Sequence, residues 1–323
     1  NALAFGGATP TATTATEEWN TGVPVGAWST GTNINTARQY VIGIGTYNSS
    51  LAVAGNNPTP GELALTESWN GSSWTEVNDV NTARFGASSA GVSNTSGLIF
   101  MGQDTSIGPP TTPNNTGLTE SWNGSNWTEV NDMNSDRQDG GGFGTQTSAL
   151  TFGGYKYVPS GGRVALTESW NGTNWTEVND MNEARYKLSE NGAGADNTSG
   201  ICAGGDAPGG DTTKTESWNG TNWTEVNDMN LVRDNLGACG TQTAALAFGG
   251  EEDGPDQFYA QTEEWNGTNW TEVADLNSGR TRLGSSGSTS AALAIGGNPG
   301  TAVTAATEEW NVPSSTTRTI DTD

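Results

Sequence analysis

The chain has 323 residues, 46 of them glycine, with 15% charged and 32% apolar residues, proportions that suit strand and turn rather than amphipathic helix. Its 36 acidic and 12 basic residues give a formal charge of -24, which repels nucleic acid and anionic lipid because the clustered Lys and Arg needed for counterion release are absent. No stretch approaches the roughly 18 apolar residues of a membrane helix, no signal peptide opens the chain, and the two cysteines, Cys202 and Cys239, are too few for a disulfide framework and lack metal-ligand spacing.

The chain opens in mid-motif: residues 2–7 (ALAFGG) recur at 245–250, so an upstream segment is expected to precede Asn1. Strand-like runs of this kind fall at 3–7, 51–55, 98–102, 150–154, 201–205, 246–250 and 293–297. Each leads to a Trp-Asn pair, at Trp19, Trp69, Trp122, Trp170, Trp218, Trp265 and Trp310, with spacings of 50, 53, 48, 48, 47 and 45 residues. Six copies add a second tryptophan, at Trp28, Trp74, Trp127, Trp175, Trp223 and Trp270, which completes the 13 in the chain. Ten residues beyond each of these stands an arginine: Arg38, Arg84, Arg137, Arg185, Arg233 and Arg280.

Each unit therefore reads as four strands. Strand a follows the arginine, b is the Ala-Leu-Ala-Phe-Gly-Gly run, c is Thr-Glu-Ser/Glu-Trp and d is Trp-Thr-Glu-Val. Asn-Gly pairs such as Asn70-Gly71 and Asn171-Gly172 mark a c-d hairpin. A two-residue loop sets Trp69 diagonal to Trp74 and a four-residue loop sets them face to face; both indoles share one side in either case.

A four-stranded unit of this length, with a glycine pair ending its second strand and Trp opening its fourth, resembles the kelch repeat of β-propellers. The pair shrinks to a single glycine at Gly55 and Gly102, and the third-strand aromatic is Trp rather than Tyr. The resemblance implies an all-β fold, a kelch-like β-propeller of about seven four-stranded antiparallel blades, as one domain over residues 1–323 whose first blade is incomplete. Residues 316–321 (TTRTID) are expected to supply the last d strand.

Thirteen exposed indoles would present ~2,600 Å² of apolar area, far above what a soluble monomer tolerates, so the tryptophans belong in the packing between blades. Glu17, Glu67, Glu120, Glu168, Glu216, Glu263 and Glu308 each stand two residues before a c-strand Trp and share its buried face. A carboxylate there needs a partner, and the in-register arginines supply repeated Arg-Glu pairs. Seven equivalent acids do not make one catalytic constellation, and a chain without histidine has no His-based triad; no enzyme is expected.

Strand alternation puts the b-c loops and d-a links at one end of the ring, and the b-c segments vary from 8 to 16 residues. Three carry distinctive side chains. Residues 103–118 form the longest, Tyr155, Lys156 and Tyr157 are aromatic and basic, and 251–261 holds Asp253, Asp256, Phe258 and Tyr259 beside Glu251 and Glu252. Aromatics among polar groups suit glycan or protein surfaces, and the acidic loop admits calcium as a lesser reading. No cofactor is otherwise implied.

Across the whole chain, the near-identical TESWNGTNWTEV units joined by GTQTAALAFGG resemble the repeat-rich virion proteins of marine tailed bacteriophages. That resemblance implies a non-enzymatic structural or binding protein on the virion surface, a tail-fibre adhesin or capsid-associated propeller. Its partners would be other virion proteins or a host-surface glycan or protein, without membrane insertion. A secreted or cell-surface bacterial interaction propeller is the alternative.

Overall fold

In the computed structural model, residues 2–8 and 12–19 are described as backbone, and residues 25–313 fully except 60, 105–114, 158–160, 189, 191 and 254–256. Six four-stranded antiparallel sheets follow one another, each ordered a-b-c-d. Blade I comprises Ile42–Thr46, Ser49–Val53, Thr66–Trp69 and Trp74–Glu76, and blade II Ser88–Ser93, Ser96–Phe100, Thr119–Trp122 and Trp127–Val130. Blade III is built of Gly141–Thr145, Ser148–Phe152, Thr167–Trp170 and Trp175–Val178, and blade IV of Gly192–Asp196, Ser199–Ala203, Thr215–Trp218 and Trp223–Val226. Blade V has Gly237–Thr241, Ala244–Phe248, Thr262–Trp265 and Trp270–Glu272. Each a strand packs against the a strands of the blades before and after it, and that of blade VI returns to blade I, so the sheets close into a β-propeller.

Blade VI corrects the expected count. Its a, b and c strands are Gly284–Gly287, Ala291–Ile295 and Thr307–Asn311, and its d strand is Ala27–Thr30 from the far end of the chain, with Trp28 opposite Trp310. The ring has six blades, not about seven. The first b-c copy does not build a blade: Ala2–Ala8 and Ala12–Trp19 pair only with each other among the described residues. The d strand that follows this hairpin in sequence completes blade VI instead. Residues 316–321, expected to form the last d strand, lie outside the described residues.

The c-d loop has four residues, so the paired indoles face each other, with ring centroids 5.2 to 5.5 Å apart in the six blades. Asn70 Oδ1 accepts the backbone N–H groups of Ser72 and Ser73, and Gly71 takes φ 91°. All tryptophans from Trp28 to Trp310 are buried. The c-strand indoles donate to a carbonyl in their own a-b turn, as Trp170 does to Gln146 O at 3.0 Å. Five of the six d-strand indoles reach across to the preceding blade's c-strand threonine, as Trp175 does to Thr119 Oγ1 at 3.0 Å, and Trp74 donates instead to Thr32 O in the d-a link at 3.1 Å, so they join neighbouring sheets. At ~200 Å² and ~25 cal/mol per Å², each buried indole contributes ~5 kcal/mol before entropy.

The arginines clamp the junctions. Arg38 pairs with Glu67, Arg84 with Glu120, Arg137 with Glu168, Arg185 with Glu216, Arg233 with Glu263 and Arg280 with Glu308, at 2.6 to 3.1 Å. Each glutamate also accepts the backbone N–H and side-chain amide of an asparagine in the d-a link, as Glu168 does from Asn134. The link leaving one blade is thus tied to the c strand of the next. Glu17 and Trp19 belong to the separate hairpin, where only the backbone is described.

Candidate functional site

Two residues beyond each repeat arginine the chain enters the left-handed region: Tyr40, Gly86, Asp139, Lys187, Asn235 and Arg282 have φ between 47° and 61°. L residues pay about 1 kcal/mol or more for this conformation. Backbone hydrogen bonds from blade to blade hold it. Tyr40 N donates to Arg282 O at 2.7 Å, Arg282 N to Asn235 O and Asn235 N to Lys187 O at 3.0 Å, and Asp139 N to Gly86 O at 2.8 Å. These contacts make a collar around the axis.

The residue just before each collar position bridges to the start of its b-c segment: Gln39 to Asn56, Phe85 to Gln103, Gln138 to Tyr155, Tyr186 to Asp206, Asp234 to Glu251 and Thr281 to Asn298. Three equivalent positions per blade therefore surround one mouth of the ring. Apart from Gln39 and Gln138, and Asn56 and Asn298, their side chains differ from blade to blade, whereas the flanking Arg, Glu and Trp recur in every unit.

On blades III to VI the mouth is aromatic and charged. Tyr155 lies 5.0 Å from Tyr157 and 5.3 Å from Tyr186, and Arg163 and Lys187 sit over the Tyr186 ring at 5.1 and 5.8 Å. Arg163 pairs with Asp206 at 2.6 Å, Lys187 with Asp234 and Asp253 at 2.6 and 2.7 Å, and Arg282 with Glu251 at 2.6 Å. Arg282 also stands 5.3 Å from the Tyr40 ring, which stacks on Phe85 at 5.2 Å. Burial pushes Asp234 up to about 9 despite Lys187, and pushes Tyr186 to about 12 with help from Asp206. Burial lowers Lys187 but Asp234 and Asp253 outweigh it, so its ammonium is held charged.

The residues singled out from sequence divide accordingly. Tyr155 and Tyr157 come together and extend to Tyr186, while Lys156 turns aside to donate to Ser135 Oγ at 2.8 Å. Asp253 joins them through Lys187. Phe258 bridges to Glu251, and Tyr259 donates to Glu252 at 2.6 Å within the blade V loop. Asp256 lies outside the described residues. Sequence reading overlooked Arg163, Tyr186, Lys187, Asp206 and Asp234. The signal was available: the second position after each arginine changes in every copy of an otherwise repetitive chain, and the first repeats only as Gln39 and Gln138.

Carboxylate oxygens of Asp206, Asp211 and Asp253 come within 4.8 Å of one another, a spacing open to a metal ion. Arg163 and Lys187 already neutralise two of the three, so these residues fit a salt-bridge network better than a calcium cage, which needs carboxylates free to ligate.

A second feature lies on the axis. Gly142 pairs with Thr151 and lies five residues after Arg137, whereas its counterpart Gly192 pairs with Cys202 and lies seven after Arg185. The two extra residues of blade IV place Glu190 inside the ring, buried and with φ 68°. Its carbonyl accepts Ala238 N–H at 2.8 Å. Its Oε2 accepts Gly43 N–H at 3.2 Å and Ser285 N–H and Oγ–H at 3.1 Å. Ala238, Ser285 and Gly43 occupy the same position in blades V, VI and I, five residues after their arginines, so one glutamate satisfies three inward N–H groups. Blade I stands opposite blade IV, and Glu190 therefore spans the axis. From it a pit walled by Gly45, Gly144, Gly240 and Gly287 extends toward the a-b turns. Burial pushes the Glu190 carboxyl up to about 8 against these hydrogen bonds.

Neither a protein-family model nor a curated protein matches this chain.

Proposed function

We propose that this chain is a non-enzymatic, kelch-like binding propeller of a virion surface, which contacts a host-surface molecule or another virion protein through the collar and b-c loops. The observation that carries this reading is the contrast between a scaffold repeated almost residue for residue and a mouth whose collar position is a different residue in all six blades and whose two neighbouring positions each take five residue types. A repeated scaffold supplies geometry, and diversified positions on it supply recognition. Self-paired charges around Tyr186 form a rigid, mixed polar and aromatic surface of the kind that binds rather than transforms. The kelch-like and viral setting rests on the resemblance of the repeat.

The test uses the whole chain against a glycan array and against purified virion proteins of the source particle. Tyr157→Ala and Tyr186→Ala are expected to weaken the captured partner at least tenfold, while Glu177→Gln on an outer strand leaves it unchanged. Binding indifferent to both tyrosines refutes the choice of face, and steady turnover of a captured sugar refutes the non-enzymatic reading.

A further inference from the structure

We infer that the axial pit binds a singly charged cation, with the Glu190 carboxylate as its counter-charge. Three observations lead there. Glu190 is the product of a two-residue insertion found in one blade, so the pit has a single acidic floor rather than a ring of six. Its walls are half glycine, with small Ala, Ser and Cys side chains and Phe143 between them, so that much of the lining is backbone, suited to a small ion or an ammonium head. Finally, the described residues supply no cation to it. Of the 12 Lys and Arg, six arginines hold the c-strand glutamates, Arg163, Lys187, Lys214 and Arg282 pair with other carboxylates, and Lys156 donates to Ser135, which leaves only Arg318, outside the described residues.

A buried carboxylate without a counter-ion is expensive, and neutral donors from Gly43 and Ser285 offset only part of that cost. Its elevated pKa reports the same deficit. One carboxylate suits a monovalent ion; a divalent ion would call for several. The only other titratable group lining the pit is Cys239, whose thiol burial pushes up to about 12, so the pit's charge near neutral pH follows Glu190 alone.

The test is thermal unfolding of the full chain in LiCl, NaCl, KCl, CsCl and methylammonium chloride at equal ionic strength, at pH 6 and pH 9. At pH 9 one cation should raise Tm by about 4 °C or more over the others. At pH 6, where the carboxyl is protonated, that difference should vanish. A preference for an alkali ion identifies free ions as the source, and a preference for methylammonium identifies a partner's lysine. Glu190→Gln should abolish discrimination while still melting cooperatively. Equal Tm values in all five salts at pH 9, or discrimination that survives Glu190→Gln, overturn the assignment. Should that variant not fold, calorimetry on the native chain decides: binding at pH 8 must release protons, and titration without proton release overturns it.

Discussion

At the scale of single residues, buried charge is handled in two ways. In each of the six arginine-glutamate clamps the carboxylate takes a guanidinium and an asparagine link, while the guanidinium keeps a buried Nε without a hydrogen-bond partner. Removing one partner strands the other. Arg185→Ala should therefore lower stability by about 3–5 kcal/mol in urea unfolding, and the double variant Arg185→Leu/Glu216→Leu should recover much of it. Glu190 is the opposite case, with no cationic partner among the described residues, and at Asp234 burial outweighs the pairing with Lys187. Burial raises their folded pKa to about 8 and about 9, from ordinary values of 4.5 and 3.8. Groups raised in this direction stabilise fully below their unfolded pKa and lose that contribution as pH climbs through the folded value. Urea midpoints should accordingly fall between about pH 5 and pH 9, and Glu190→Gln/Asp234→Asn should flatten the slope.

Individual elements were legible in the sequence to different depths. The c-d hairpin was plain, because Asn-Gly and two register-fixed tryptophans leave little choice; only the four-residue loop awaited geometry. Asn171 Oδ1 accepts Thr173 and Asn174 N–H groups at 3.0 and 2.9 Å, so Asn171→Ala should cost about 1 kcal/mol by thermal denaturation. The a-strand glycines carried a clearer demand than their spacing suggested. Gly144 has φ 116°, and a Cβ there would meet Ser148 O at 2.3 Å, so Gly144→Ala should cost about 2 kcal/mol or more. The mouth was half legible: Tyr155, Tyr157 and Asp253 announce themselves by type. Tyr186 and Lys187 matter through a left-handed link that spacing cannot reveal. Glu190 was missed because the sequence shows only that the stretch from arginine to b-strand glycine is longest in blade IV, and strand pairing is needed to place two of the extra residues before strand a.

For the whole molecule, counting motifs gave one blade too many because a seventh b-c pair has the right sequence but, among the described residues, no a and d strands of its own. Closure by Ala27–Thr30 makes the first d strand the partner of the last c strand, a topological fact that no local pattern encodes. The formal charge of -24 acts at this scale as well. Raising salt from about 0.01 M to about 1 M shortens screening from about 30 Å to about 3 Å, and Tm should rise as self-repulsion fades.

Closure also fixes how the molecule answers to force. Ala27 lies opposite Asn311, so the stretches entering the ring before Ala27 and leaving it after Asn311 depart from the same end of one antiparallel pair. Tension applied through those two flanks would open the pair like a zipper, one rung at a time, instead of sliding it in shear. A ring sewn this way yields at its seam under modest pull while its other five sheets stay intact.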